Sequence, residues 1–171
     1  MKPGLKQKSR DKENGRNNVI LYNVPESKGV TAEDRNREDG LFSLQLFYKL
    51  QVGVSDEDID RVFRLGKRTD PSTPNASPRP LLVQFGSCGI KNLVMESLYN
   101  LKNVEQKFTG VNIAHDMTPK ERIECKRLLA EAKQKQAEDS SGEYIYRFCG
   151  YPGKMKIVPL KVRHDTSVKR V

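Results

Sequence analysis

The sequence Asn18-Val-Ile-Leu-Tyr-Asn-Val-Pro25 is dominated by residues that favour β-strands, and it ends at a proline, which strand interiors rarely accommodate. It predicts a first strand over residues 18–24. Outward from it, further stretches rich in β-branched, aromatic and other apolar residues predict strands at residues 59–65, 79–85 and 110–114. A turn-rich loop at residues 67–78 separates the second strand from the third.

Two helices are predicted between these strands. The first begins at the signal Thr31-x-x-Asp34 and has one apolar face, at Leu41, Leu44, Phe47 and Leu50. The second repeats apolar residues every three or four positions, at Ile90, Leu93, Val94, Leu98 and Leu101. We expect both faces to lie in the core. The order βαββαβ predicts an α+β fold with the ferredoxin-like arrangement.

A second, smaller unit is predicted after residue 114. Thr118-Pro-Lys-Glu121 is a capping box with proline at the first helical position, and it predicts a helix to about residue 136. Residues 144–148 and 154–158 predict a β-hairpin around Cys149-Gly-Tyr-Pro-Gly153. The expected organisation is a basic disordered N-terminus at residues 1–16, a ferredoxin-like domain at residues 17–114, a small helix-plus-hairpin domain at residues 115–163 and a basic tail at residues 164–171.

The net charge of +9 at pH 7 favours a polyanionic partner, nucleic acid before an acidic membrane surface. Residues 1–16 hold six Lys or Arg against two acidic residues, and residues 150–171 hold six against one, so the two ends contribute +4 and +5. The middle of the chain is balanced, with 19 residues of each sign. The excess of positive charge therefore lies in the two ends.

Cysteine and hydropathy patterns indicate the compartment. The three cysteines include no Cys-x-x-Cys pair, and their odd number argues against a disulfide framework, so a reducing compartment is expected. No apolar run approaches the roughly 20 residues of a membrane-spanning helix. The lysine-rich start lacks the apolar centre of a signal peptide. We expect an intracellular protein without a membrane partner.

Motifs of the common enzyme classes are missing from the sequence. It contains no nucleophile elbow, phosphate-binding loop or dinucleotide-binding fingerprint. The two histidines, His115 and His164, lack zinc-ligand spacing. The acidic group at residues 56–60 suits the start of a helical turn better than Mg²⁺ binding. We expect no catalytic activity, no metal and no cofactor.

Five stretches, in order from Arg16 to Ile157, resemble the RNA-binding protein encoded by the first open reading frame of LINE-type (non-LTR) retrotransposons. They are Arg16-Asn-Asn-Val-Ile-Leu-Tyr-Asn-Val-Pro-Glu-Ser27, Ile59-Asp-Arg-Val-Phe-Arg-Leu-Gly-Lys67, Pro78-Arg-Pro-Leu-Leu-Val-Gln-Phe85, His115-Asp-Met-Thr-Pro-Lys-Glu-Arg122 and Tyr151-Pro-Gly-Lys-Met-Lys-Ile157. The resemblance implies an RNA-recognition-motif-like domain followed by a small C-terminal nucleic-acid-binding domain.

The chain departs from the usual RNA-recognition motif in its sheet. Residues 19–25 and 78–85 lie where the two ribonucleoprotein patterns belong, but Ile20, Pro80 and Leu82 replace the aromatic residues on which such a motif stacks bases. We expect no stacking at those positions. The family also has an N-terminal coiled coil that makes a trimer, whereas the 16 polar residues before the first strand show no heptads. A homo-oligomer is therefore left open.

The resemblance implies sequence-tolerant binding of single-stranded RNA, and of single-stranded DNA, in a retrotransposon ribonucleoprotein of the cytoplasm or nucleus. It also implies nucleic-acid chaperone activity, which helps strands exchange and anneal during target-primed reverse transcription. The alternative is a protein-interaction module. RNA-recognition folds that lack sheet aromatics can bind peptides, and Ile20, Pro80 and Leu82 would form an apolar surface for this purpose.

Without rings on the sheet, affinity is expected to rest on cations that contact phosphates. The first candidate group follows strand two and its loop to the start of strand three, at Arg61, Arg64, Lys67, Arg68 and Arg79. The second group lies on the C-terminal helix, where Arg122, Lys126 and Lys133 fall within about 40° of one another and Arg127 lies further round. The third group combines cations with an aromatic ring in the hairpin, at Arg147, Tyr151, Lys154 and Lys156.

The resemblance implies phosphate contacts from the loop after strand two, with Arg79 on the Pro-Arg step of the family pattern. It also implies a basic contact at Lys126 or Arg127, and a Tyr-Pro-x-Lys segment at residues 151–154. The alternative for each group is ordinary solvated charge, which carboxylates one helical turn away would support. The alternation of Tyr144, Tyr146 and Phe148 favours a core role over a base platform.

Overall fold

The computed structural model of the chain describes residues 15–68 and 77–162. The expected N-terminal arm, most of the loop at residues 67–78 and the basic tail lie outside these residues. The chain divides into two compact units, and the boundary lies between Asp116 and Met117. Each unit is described separately.

The first unit is a mixed α+β structure, so the predicted α+β class is confirmed. Its sheet has four antiparallel strands in the order β2-β3-β1-β4. The strands are β1 (Asn18–Tyr22), β2 (Ile59–Arg64), β3 (Leu81–Phe85) and β4 (Asn112–His115). The helices are α1 (Ala32–Lys49) and α2 (Cys88–Glu96), with 3₁₀ turns at Asp56–Asp58, Ser97–Asn103 and Gln106–Phe108.

The strand alternation divides the sheet into a core face and a face that points away from the helices, which we call the open face. Val19 and Leu21 of β1 are fully buried in the core, where Val83 and Phe85 of β3 join them. Because side chains alternate along a strand, the residues between them point to the opposite side of the sheet. Strand β3 begins at Leu81 instead of residue 79, since Pro80 has no N–H and the Arg79 N–H is bonded to the Glu26 carboxylate.

Helix α1 begins where the sequence predicts, but one predicted core residue on each of the two helices is exposed. Thr31 caps α1 through a capping box with Asp34. Leu41 is 53% exposed and Leu93 is 55% exposed, so placing both in the core was wrong. The buried line of α1 passes instead through Asp39 and Ser43, and Leu41, two residues from each, lies about 200° away around the helix.

Asp39 is buried because it is the partner of Arg64. The Arg64 side chain, 5% exposed, donates from Nε to Asp39 Oδ2 at 2.9 Å and from Nη2 to Asp39 Oδ1 at 2.6 Å. Its remaining N–H groups donate to the backbone carbonyls of Val24, Pro25 and Arg79. All five guanidinium N–H groups thus have an acceptor. The assignment of Arg64 as a phosphate contact is therefore corrected: its cation lies under the sheet, on the helix side.

The second unit is a helix packed on a hairpin. It consists of α3 (Pro119–Glu138) and the antiparallel strands β5 (Tyr144–Cys149) and β6 (Lys156–Lys161). The capping box of Thr118 and Glu121 is present. Strand β6 begins at Lys156, two residues later than predicted, because the turn between β5 and β6 is longer than expected. Gly150 has φ 117°, and a Cβ there would lie 2.7 Å from the Lys154 carbonyl oxygen, so this turn requires glycine.

Within residues 15–68 and 77–162, no helix has both the length and the apolar composition needed to cross a membrane.

Replacing Arg64 by Ala should lower the free energy of unfolding by about 3 kcal/mol or more, because it leaves the Asp39 carboxylate buried without its ion partner. Urea denaturation followed by circular dichroism measures this. The control is Arg37→Ala, which breaks the exposed pair with Asp34 and should change stability little. An Arg64→Ala protein as stable as the control would contradict the assignment.

Candidate nucleic-acid interface

Helix α3 separates its charges onto two sides. Leu128 and Ala132 form its buried line. Arg122, Lys126 and Lys133 are exposed on one flank of that line, within about 40° of one another. None of these three cations forms an ion pair with a residue that the structure describes. They make a row of accessible positive charge, which we call the α3 stripe.

Arg127 lies on the other side of α3, among carboxylates. It donates to Glu124 at 2.7 and 3.0 Å and to Glu131 at 3.1 Å. These contacts raise the pKa of Arg127, with the hydrogen bond to Glu124 as the main cause, and the same bond lowers the pKa of Glu124. Lys135 also pairs with Glu131. The positive charge of Arg127 is therefore offset locally, unlike that of the α3 stripe.

A cleft of about 270 Å³ lies between α3 and β5. The residues along it are Leu129, Ala132, Lys133 and Gln136 of α3 and Tyr146, Arg147 and Phe148 of β5. Gln136 holds the two elements together, since its Nε2 donates to the Tyr144 carbonyl and its Oε1 accepts from the Tyr146 N–H. The α3 stripe therefore reaches the cleft through Lys133, whereas Arg147 alternates with Tyr146 and Phe148 along β5 and is exposed on the other face of that strand.

The two faces of the hairpin differ in exposure. Tyr144, Tyr146 and Phe148 are half-buried, whereas the residues between them, Ile145 and Arg147, are exposed. Because directly opposed residues share a face, the second face also holds Lys156 opposite Cys149 and Leu160 opposite Ile145. Tyr151 is 45% exposed in the turn, and Lys154 follows it, also exposed. The turn at the tip of the hairpin thus carries both an aromatic and a cationic side chain.

In the first unit, Arg61, Lys67 and Arg68 are exposed and have no ion pair to any residue within the described ranges. Arg79 is different, because its side chain is 18% exposed and pairs with Glu26. Its Nη2 donates to Glu26 Oε2 at 2.8 Å and its Nε donates to Oε1 at 3.1 Å. Of the five cations in the first group, three are accessible, one is paired with Glu26 and one is buried.

The hydrogen bond from Arg79 lowers the pKa of the Glu26 carboxyl. It holds the pKa of Glu26 at about 2, below the ordinary 4.5, chiefly through the side-chain hydrogen bond from Arg79, while burial opposes the shift. The same bond raises the pKa of Arg79. A phosphate that contacted Arg79 would have to compete with this carboxylate.

Two exposed rings on the open face of the sheet were missed at the sequence level. Phe63 is 44% exposed and Tyr22 is 39% exposed. Each follows a residue that points into the core, Val62 and Leu21, so strand periodicity would have placed the rings on the opposite face. The ribonucleoprotein patterns do not include these positions, because they concern Ile20, Pro80 and Leu82. The α3–β5 cleft was also missed, since no sequence pattern brings Gln136 to β5.

No group of three or more His, Cys, Asp or Glu side chains that could hold a metal ion occurs among residues 15–68 and 77–162. Comparison of the chain with models of protein families finds no match, and neither does comparison with curated proteins. The site therefore has to be interpreted from its own geometry and charge.

Glu26→Gln should reduce the acid sensitivity of the protein. Because the pKa of folded Glu26 lies below its ordinary value, its stabilising contribution is fully present above about pH 4.5 and is lost as the pH falls toward 2. Urea denaturation between pH 5 and pH 2 should therefore show a shallower loss of stability for Glu26→Gln than for the parent chain. Glu57→Gln, in the exposed turn at Asp56–Asp58, is the control; equal slopes for both variants would contradict the role of Glu26.

Proposed function

We propose that the protein binds single-stranded RNA and single-stranded DNA with little sequence preference, and that the second unit carries the main contact. The observation that carries this proposal is the α3 stripe, three exposed cations without carboxylate partners among the described residues, which continues into a cleft with aromatic walls. Cations at this spacing neutralise phosphates, and rings beside them can contact bases.

The charge of the second unit supports this role. Its described residues, 117–162, hold ten Lys or Arg against six Asp or Glu. The described residues of the first unit, 15–68 and 77–116, hold thirteen against twelve. Three of the six acidic residues of the second unit bind within the unit: Glu121 in the capping box at Thr118, and Glu124 and Glu131 in ion pairs with Arg127 and Lys135. The cations of the stripe are left accessible to a polyanion.

The hairpin extends the proposed contact. Tyr151, Lys154 and Lys156 lie in the turn and at the start of β6, and Arg147 lies on β5. Single-strand binders combine a cationic groove with exposed rings because every base has a flat face, which makes stacking tolerant of sequence. This agrees with the Tyr-Pro-x-Lys segment that the family resemblance implies for residues 151–154.

We further propose that the first unit is a ferredoxin-like, RNA-recognition-motif-like domain. The element order βαββαβ and the strand order β2-β3-β1-β4 support this arrangement. With the resemblance to the LINE-type first-open-reading-frame protein, it supports a role in a retrotransposon ribonucleoprotein. Chaperone activity fits a surface of exposed Lys and Arg side chains, because mobile phosphate contacts hold strands together without fixing their base pairing.

The alternative of a protein-interaction module on the sheet has less support. It relied on Ile20, Pro80 and Leu82 as an apolar surface. Ile20 is 9% exposed and Leu82 is 7% exposed, and Pro80 is half-buried. These three side chains offer a partner little apolar area.

Replacing Arg122, Lys126 and Lys133 together by Ala should weaken binding to a single-stranded RNA and reduce its salt dependence. The slope of log K against log salt should fall by about 2, since each lost phosphate contact on a single strand contributes roughly 0.7. Fluorescence anisotropy at several salt concentrations, with a duplex competitor, measures both effects.

The matched control for this triple variant is the replacement by Ala of Arg16, Lys28 and Lys102, exposed residues of the first unit without an ion pair to any described residue, which removes the same charge. Equal losses in the two triple variants would mean that only overall charge matters, and the proposed interface would then be wrong.

Two single substitutions on one helix provide a finer test. Lys126→Ala and Arg127→Ala remove the same charge from neighbouring positions, but only Arg127 has its charge offset by Glu124 and Glu131. We expect Lys126→Ala to weaken single-strand binding by several-fold and Arg127→Ala to change it less. A larger loss of affinity for Arg127→Ala would contradict this expectation, because it would mean that Arg127 contacts phosphates despite its ion pairs with Glu124 and Glu131.

A further inference from the structure

We propose that the open face of the four-stranded sheet carries a base-stacking site formed by Phe63 and Tyr22. These rings occupy positions other than those where the RNA-recognition motif has its usual aromatics. The inference rests on the proposed single-strand binding and adds to it a second site, with unpaired bases as its ligand.

The strand register places both rings on the face away from the helices. In β2, Val62 packs against the core and Arg64 pairs with Asp39 of α1, so Phe63 between them points to the other side. In β1, Leu21 is fully buried in the core, and Tyr22, next to it, points away from the core as well. Directly opposed residues then define a row across the open face, Phe63–Leu82–Ile20–Ala114.

The rings are the accessible part of this face. Phe63 and Tyr22 are 44% and 39% exposed, whereas Leu82 and Ile20 between them are 7% and 9% exposed. Strands β1 and β2 flank β3, and Tyr22 lies two residues beyond the row that contains Phe63. Strand spacing and rise put the two ring-bearing positions roughly 12 Å apart. An extended single strand can bring separate bases to both rings over that distance.

Cations lie on β2 and just after it, on the side of Phe63, and favour a polyanion over an apolar peptide. Arg61 shares the open face with Phe63, since it lies opposite Gln84, two residues from Leu82 on β3. Lys67 and Arg68 follow the end of β2. All three are exposed and have no ion pair within the described parts of the chain. A strand whose bases stack on the rings would place its phosphates within reach of these side chains.

The absence of tryptophan from the sequence allows a direct test. In Phe63→Trp the new side chain is the only indole, and stacking on a base should quench its fluorescence. We expect strong quenching when the protein binds an oligouridylate of about 12 nucleotides, a length within the range of single-strand sites. The control is Tyr48→Trp, on the helix side of the same unit, where Tyr48 is 76% exposed; little quenching is expected there.

Affinity is measured on the same RNA by anisotropy. Phe63→Ala should weaken binding by about 10-fold, within the range found for lost base stacking. Phe63→Tyr should retain the affinity, because it keeps the ring. Phe63→Leu keeps an apolar side chain without the ring and should behave like Phe63→Ala. Urea denaturation of each variant establishes that the exposed position tolerates the change.

The outcomes separate this inference from the proposed function. Quenching at position 63 together with loss of affinity in Phe63→Ala and Phe63→Leu supports the stacking site. Full RNA binding without quenching overturns the stacking site and leaves the proposed function standing. Failure of the unmodified chain to bind any single strand overturns both. If Phe63→Ala changes the mass measured by sedimentation instead of the RNA affinity, the face is a contact between copies of the chain and the stacking site is wrong.

Discussion

The buried pair of Arg64 and Asp39 is the interaction on which the rest of the first unit depends. It connects β2 to α1, and through the carbonyls of Val24, Pro25 and Arg79 it also connects the end of β1 and the residues before β3. A buried ion pair is a costly arrangement unless hydrogen bonds satisfy its remaining polar groups. Here each N–H of the guanidinium has an acceptor, so the pair positions three segments around one cation.

Pairing with a carboxylate also distinguishes the cations that stabilise the fold from the cations that are available to a ligand. Arg64, Arg79 and Arg127 each bind a carboxylate, Asp39 for the first, Glu26 for the second and Glu124 with Glu131 for the third. The α3 stripe has no such partner among the described residues. A basic composition therefore predicts a polyanionic partner in general, but the local carboxylates determine which side chains can contact it.

The two units differ in their accessible cations and aromatic rings. In the second unit, accessible cations dominate, and the aromatic side chains of β5 line a cleft beside them. In the first unit, charges nearly balance, and two exposed rings lie on the open face of the sheet, beside the little-exposed Leu82 and Ile20. Phosphate contacts of the first kind give affinity that depends strongly on salt, whereas ring contacts of the second kind depend on salt less. A protein with both would hold single strands by two separable contributions.

Sequence alone determined the local features. Short-range patterns predicted the first strand, which runs from Asn18 to Tyr22, the capping boxes at Thr31 and Thr118 and the α3 stripe, since each depends on residues close in sequence. Contacts between distant segments set which cations have a carboxylate partner among the described residues and which faces are covered. Leu41 is exposed because Asp39, two residues earlier, has to reach Arg64 across 25 positions of sequence. The hydrogen bond between Gln136 and β5 joins two separate segments, and the exposure of Phe63 depends on the pairing of β2 with β3. Periodicity within a single segment does not encode such pairings.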